Sequence, residues 1–194
     1  MPQVIDITSG DSLGPHQNGE IAVHARGIMK GYTGRPEATA EALSSDGWFR
    51  TGDLGYYDTE GRIHVIERLK QMIKCMDNVV VPAELEELLM THEAVAEAAV
   101  VGIPSAKHGE APTACIVVKG GFEKNLDSLA TELKELVAGI SFQYPNFVFG
   151  QAAVFKQLYG GVFFMKSFPK SDNGKILRRD LKTKVAQEIE KLTE

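Results

Sequence analysis

Residues 47–74 read GWFRTGDLGYYDTEGRIHVIERLKQMIK. Thr51, Gly52, Asp53 and Leu54 predict a carboxylate held in a tight turn, with Gly52 supplying the backbone freedom for it. Asp58 to Gly61 is a second turn, and residues 62–66 carry the branched side chains of a strand. A basic cluster follows: Arg68, Lys70 and Lys74. A carboxylate has two oxygens that can accept from adjacent hydroxyls, so Asp53 suits a ribose diol. By itself an Asp in this setting serves equally as an Asx-turn that stabilises its own loop. Fixed positive charge arriving fifteen positions later, at Arg68, points instead to a nucleotide.

Upstream, residues 4–7 and 20–23 read as strands separated by the turn-rich GDSLGPHQNGE. Pro36 opens a helix over PEATAEAL. Downstream, Pro82 begins an amphipathic helix, PAELEELLMTH, with Leu85, Leu88 and Leu89 on one face. Residues 95–103 and 113–118 are apolar strands. Asn125 is a good N-cap for a helix carrying Leu126, Leu129, Leu133 and Leu136, and Gly139 reads as its stop. Residues 159–168 read as a strand. Pro169 and the Asn173–Gly174 turn lead into a last helix striped by Leu177, Leu181, Val185, Ile189 and Leu192. The pattern predicts an α+β chain, mainly β in front and α+β behind, with the boundary near Glu67.

Composition narrows the function classes. The chain has 194 residues, 43% hydrophobic and 24% charged, as expected of a globular protein rather than a disordered one. A net charge of −5 gives no basic footprint for nucleic acid. No apolar run reaches the length of a membrane span. The first residues have no signal-peptide pattern and the last have no SKL-type peroxisomal address, so the expected location is the cytoplasm, with the peroxisome left open. Cys75 and Cys115 read as free thiols. The five histidines show no metal-ligand spacing, so no metal ligands are assigned.

Five stretches, KGYTGRPEAT, DGWFRTGDL, GRIHVIERLKQMIK, PAELEELL and PKSDNGKILRR, resemble in order and spacing the C-terminal part of the adenylate-forming (AMP-binding) enzymes. That superfamily includes acyl-CoA ligases, 4-coumarate-CoA ligases and luciferases. The resemblance implies a β-rich remnant of the large N-terminal domain over residues 1–66, a hinge at 67–70, and a small α+β lid domain over 71–194. It implies an enzyme that activates a small carboxylic acid with ATP to an acyl-adenylate, expelling pyrophosphate, and then transfers the acyl group to coenzyme A with release of AMP. No protein partner is implied.

On that resemblance, Asp53 and Arg68 hold the ribose of ATP or AMP. Lys175, in the SDNGK turn, is the catalytic lysine that reaches the α-phosphate and the substrate carboxylate. Bringing two anions together is unfavourable, and a cation fixed at the new bond offsets it by about 3–4 kcal/mol in comparable sites. Glu67, Arg68 and Lys70 fall at the hinge, where Glu67 replaces the family's usual Asp or Lys. Lys74 falls on the face presented in the second half-reaction. Asp77 stands where the family has Gly, adding a side chain and a negative charge beside the expected path of an anionic cofactor, which sets it against coenzyme A.

The phosphate loop, the adenine-stacking segment, the acyl pocket and the Mg²⁺ ligand of the family fall upstream of residue 1. The expectation is therefore a fragment that is inactive alone, with Mg²⁺ belonging only to the complete parent. The alternatives are a stand-alone nucleotide- or protein-binding module and a fragment of a luciferase-like oxygenase. Residues 140–150, ISFQYPNFVFG, match nothing in the family pattern and read as an inserted segment rich in aromatics and free of charge.

Overall fold

The structure is a computed structural model that describes residues 2–121, 125–143 and 154–193. The chain divides into two compact units, Met1–Gln71 and Met72–Glu194.

The first unit is an antiparallel sheet of four strands in the order β1 (Gln3–Ile5), β2 (Gly19–Val23), β3 (Phe49–Tyr57) and β4 (Ile63–Arg68). A short helix, α1 (Pro36–Ala42), starts at the proline that presets its first turn. The core here is small, with Val4, Ile21, Ala22 and Leu54 buried. The β3–β4 hairpin closes on Asp58, whose Oδ1 accepts the N–H groups of Glu60 and Arg62, each at 2.9 Å. Thr51–Leu54 is not a separate tight turn. It lies inside β3, where Gly52 takes a φ of +72° and a bulge falls between Leu54 and Gly55. The glycine signal was real, but it marks a kinked strand. Gly55 is there for space: a Cβ would lie 2.4 Å from the His64 carbonyl oxygen.

The second unit is a sheet covered on both faces. Its strands run β6 (Asn78–Val80), β5 (Ile73–Cys75), β8 (Gly109–Val118) and β7 (Val95–Ser105), with β9 (Val162–Phe164) added parallel to β8. Alternation along the strands builds two cores. Ala98, Val100, Ala114 and Ile116 face Leu85 and Leu89 of α2 (Pro82–Met90) and Leu129 and Leu133 of α3 (Leu126–Gln143). Ala99, Val101, Ile103 and Cys115 face Leu181 and Val185 of α4 (Arg178–Thr193). Burial on both sides is why β7 and β8 read as continuous apolar runs rather than alternating ones.

Two local expectations are corrected. Gly139 does not stop α3, which runs on to Gln143. Glycine weakens a helix interior by about 1 kcal/mol, too little to end one anchored by buried Leu129, Leu133 and Val137. Residues 140–143 continue that helix, and the rest of the expected inserted segment, 144–150, lies outside the described residues. The strand expected over 159–168 is only Val162–Phe164. Its first residues form a turn, in which the Gly160 N–H donates to Pro112 and the Gly161 N–H to Leu158.

Candidate functional site

Asp53 and Arg68 are direct partners across β3 and β4. The guanidinium Nε lies 2.7 Å from Asp53 Oδ1, and Arg68 also donates to the Thr51 carbonyl at 3.2 Å. Asp53 is partly shielded and Arg68 is exposed, so the pair presents a carboxylate and a cation side by side at the sheet edge.

A buried carboxylate that sequence reading missed holds this arrangement in place. Glu20, on β2, is 5% exposed. Its Oε2 takes the Arg50 guanidinium at 2.6–2.8 Å and its Oε1 accepts the Gly52 N–H at 3.0 Å. The Thr51 hydroxyl donates to the Ile21 carbonyl at 2.7 Å and accepts the Asp53 N–H at 3.1 Å. Residues 51–53 are thus pinned to β2 by two hydrogen bonds, and a third within β3 joins the Asp53 N–H to the Thr51 hydroxyl. A Glu in a strand is usually read as solvent-facing; here the one available signal was Arg50, its partner across the sheet.

The expected hinge residues sit where β4 ends. Glu67 is buried and its Oε1 accepts the Arg68 N–H at 2.9 Å. Lys70 is exposed within a 3-10 turn over Leu69–Gln71.

Lys74 and Lys175 lie on separate hairpins of the second unit. Lys74 is exposed on β5, and its N–H donates to Glu110 Oε2 at 3.0 Å. Glu110 Oε1 takes the Lys182 ammonium at 2.9 Å. Burial pushes the Glu110 carboxyl upward, but the hydrogen bonds from Lys182 and the Lys74 N–H outweigh it and leave the pKa below its ordinary value. The turn between β5 and β6 is made by Met76 and Asp77, with φ of 51° and 59°. Two consecutive left-handed residues are the requirement of a primed hairpin turn, which Asp tolerates better than most. Asp77 therefore keeps the backbone shape that glycine would give while leaving an exposed carboxylate there. Lys175 is exposed at the end of a small hairpin closed by the Lys170–Ile176 bridge and by the Ser171 N–H donating to the Lys175 carbonyl at 2.9 Å.

This is the α+β architecture of the C-terminal portion of enzymes that adenylate their substrates. Residues 84–175 match the model of the AMP-binding enzyme C-terminal domain. The chain is 38% identical over 189 residues to 4-coumarate–CoA ligase 1 of Glycine max, covering 97% of this chain and 59% of that protein. It is 40% identical to luciferin 4-monooxygenase of Nipponoluciola cruciata, covering 95% of this chain and 32% of that protein. It superposes on the ATP-bound structure of MatB from Rhodopseudomonas palustris with a TM-score of 0.80 at 29% identity, covering 95% of this chain and 33% of that one. Residues 84–175 thus carry the AMP-binding enzyme C-terminal domain, and nearly the whole chain is similar to the C-terminal part of adenylate-forming enzymes.

Proposed function

We propose that this chain supplies the nucleotide-facing C-terminal part of an acyl-CoA ligase-like enzyme, one that joins a small carboxylic acid to AMP from ATP and then passes the acyl group to coenzyme A. The observation that carries the reading is the Asp53–Arg68 pair, a carboxylate and a guanidinium in register on neighbouring strands and pinned by Glu20 and Thr51. Asp53 would accept hydrogen bonds from the ribose hydroxyls, and Arg68 would hold the carboxylate in place for them. Lys175, exposed at its turn, would meet the phosphate and carboxylate oxygens as negative charge gathers on them. Glu67, Arg68 and Lys70 would form the hinge, and Lys74 would serve the second step. The Asp77 carboxylate opposes an anionic cofactor at that step.

Isothermal titration of the purified chain with ATP tests the site. Binding is expected, weakened about tenfold, or ~1.4 kcal/mol, by Asp53→Ala. Equal binding by the variant would remove Asp53 from the site. Acid-dependent pyrophosphate release measured on the same chain is expected to be absent, since the phosphate loop of the family is not in this sequence; sustained turnover would overturn that part. A protein-binding module predicts no ATP binding, a nucleotide-binding module predicts the same loss in Asp53→Ala without turnover in any longer form, and a luciferase-like parent predicts light from luciferin.

A further inference from the structure

Two acidic residues outside the site just described converge on the hairpin that carries Lys175. On the way into the hairpin, Lys170 Nζ lies 2.5 Å from Glu97 Oε2, on β7. On the way out, the Arg178 guanidinium sits on the Glu86 carboxylate of α2 at 2.5 and 2.8 Å and donates to the Val100 carbonyl at 3.0 Å. Glu86 in turn accepts the Val100 N–H at 2.7 Å. Both legs of the hairpin are therefore tied to one strand, at positions 97 and 100 of β7. Between the legs, Phe168 is buried and Ile176 packs against the Leu181–Val185 cluster. The tip closes on itself through Gly174 N–H to the Ser171 carbonyl and Leu177 N–H to the Pro169 carbonyl, each at 2.8 Å.

We propose that Glu97 and Glu86 are positioning residues for Lys175, clamping both legs of its hairpin to β7 and neutralising the two neighbouring cations. Of Lys170, Lys175 and Arg178, the first and last each have a dedicated carboxylate. Lys175 has none among the described residues, so an incoming anion meets the tip lysine as the uncompensated charge of the hairpin. The clamp fixes where that charge stands relative to the sheet. The assignment of a phosphate as the anion rests on the function proposed above; the clamp itself does not.

Amide hydrogen exchange of the full chain tests it. In Glu97→Gln, Ser171 and Leu177 are expected to exchange at least tenfold faster, with Val101 and Thr113 in the sheet unchanged. The swap Glu97→Lys with Lys170→Glu is expected to restore wild-type exchange. No change at the hairpin amides, or equal acceleration through the sheet, would overturn the clamp. Glu86→Gln is compared in the same way; if it does not fold, Glu97→Gln and the swap decide alone.

Labelling with pyridoxal 5′-phosphate reads the charge. The aldehyde condenses with a lysine amine, water leaves, and borohydride reduces the imine to a stable secondary amine. At least fivefold more label is expected on Lys175 than on Lys170, falling toward equality in Glu97→Gln. Equal labelling of the unmodified chain would overturn the neutralisation. An ATP titration of the same samples separates the two ideas: exchange as expected without ATP binding upholds the clamp and overturns the nucleotide reading.

Discussion

The hydroxyl of Thr113 occupies the space that a side chain at Gly160 would need. A Cβ there would lie 1.8 Å from Thr113 Oγ1 and 3.2 Å from the Ala111 carbonyl oxygen. Thr113 is fully buried in β8 and donates to that same carbonyl at 3.1 Å, so it has no room to yield. Gly160→Ala is expected to destabilise the second unit by about 1–3 kcal/mol, read from urea unfolding. Adding Thr113→Ala should recover part of the loss. An unchanged midpoint in the single variant would show that the turn at Gly160 shifts freely.

Glu20 offers a test in the first unit. Its carboxylate accepts from Arg50 and from the Gly52 N–H while almost fully buried. Glu20→Ala strands both donors and is expected to cost about 1–3 kcal/mol. Glu20→Gln keeps a carbonyl for Gly52 and should cost less. If the positioning of Asp53 depends on this contact, ATP affinity falls in Glu20→Ala along with stability; an affinity equal to wild type would break that link.

Glu110 sets a pH dependence whose sign follows from its lowered pKa. The unfolded carboxyl titrates near its ordinary 4.5 and the folded one below it. Its contribution is therefore present above that value and is lost as the pH falls through the folded pKa. Glu110→Gln is expected to be less stable than wild type at about pH 7, with the gap narrowing toward about pH 3. A gap that stays constant across the range would show that Glu110 acts through shape alone.

The two thiols should be silent in the native protein. Cys75 and Cys115 are both fully buried. Loss of hydration, with the nearby Glu86 charge adding to it, pushes the Cys115 thiol up to about 12, and burial also raises Cys75. Only thiolate attacks a disulfide reagent. Ellman's reagent at mildly alkaline pH is expected to find no reactive thiol until urea is added, then both. Rapid reaction of the folded chain would contradict the burial.

Much of this was legible from the residues, and what was not has identifiable causes. Pro36 and Pro82 mark helix starts because proline presets φ and needs no N–H partner there. The apolar stripes place Leu85 and Leu89 of α2, Leu129 and Leu133 of α3, and Leu181 and Val185 of α4 in the core, whereas Leu126 and Leu177 at the helix starts are exposed. Periodicity could not show that Gly52 kinks a strand instead of ending one, because a positive φ serves both. The β5–β6 hairpin escaped notice because Met76–Asp77 is not an Asn-Gly type of turn. Asp53 and Arg68 were readable as a pair from type and spacing, and the register joins them. Glu20 and Glu97 were not: charge gives no hint that Glu20 is buried, and the partners of both lie far away in sequence, at Arg50 and Lys170.

The parallel pairing of β9 with β8 has a consequence for how this chain can change length. Antiparallel neighbours joined by tight turns share a register, and an extra residue in such a turn misaligns every rung. β9 instead joins its ladder after a long excursion through α3, and its alignment at Ala114, Cys115 and Ile116 is set by the strand it lies on. Doubling such an excursion costs only about 0.6 kcal/mol in closure entropy. The pairing of β9 with β8 is thus indifferent to the length of chain between the two strands, in a way that the β7–β8 hairpin is not.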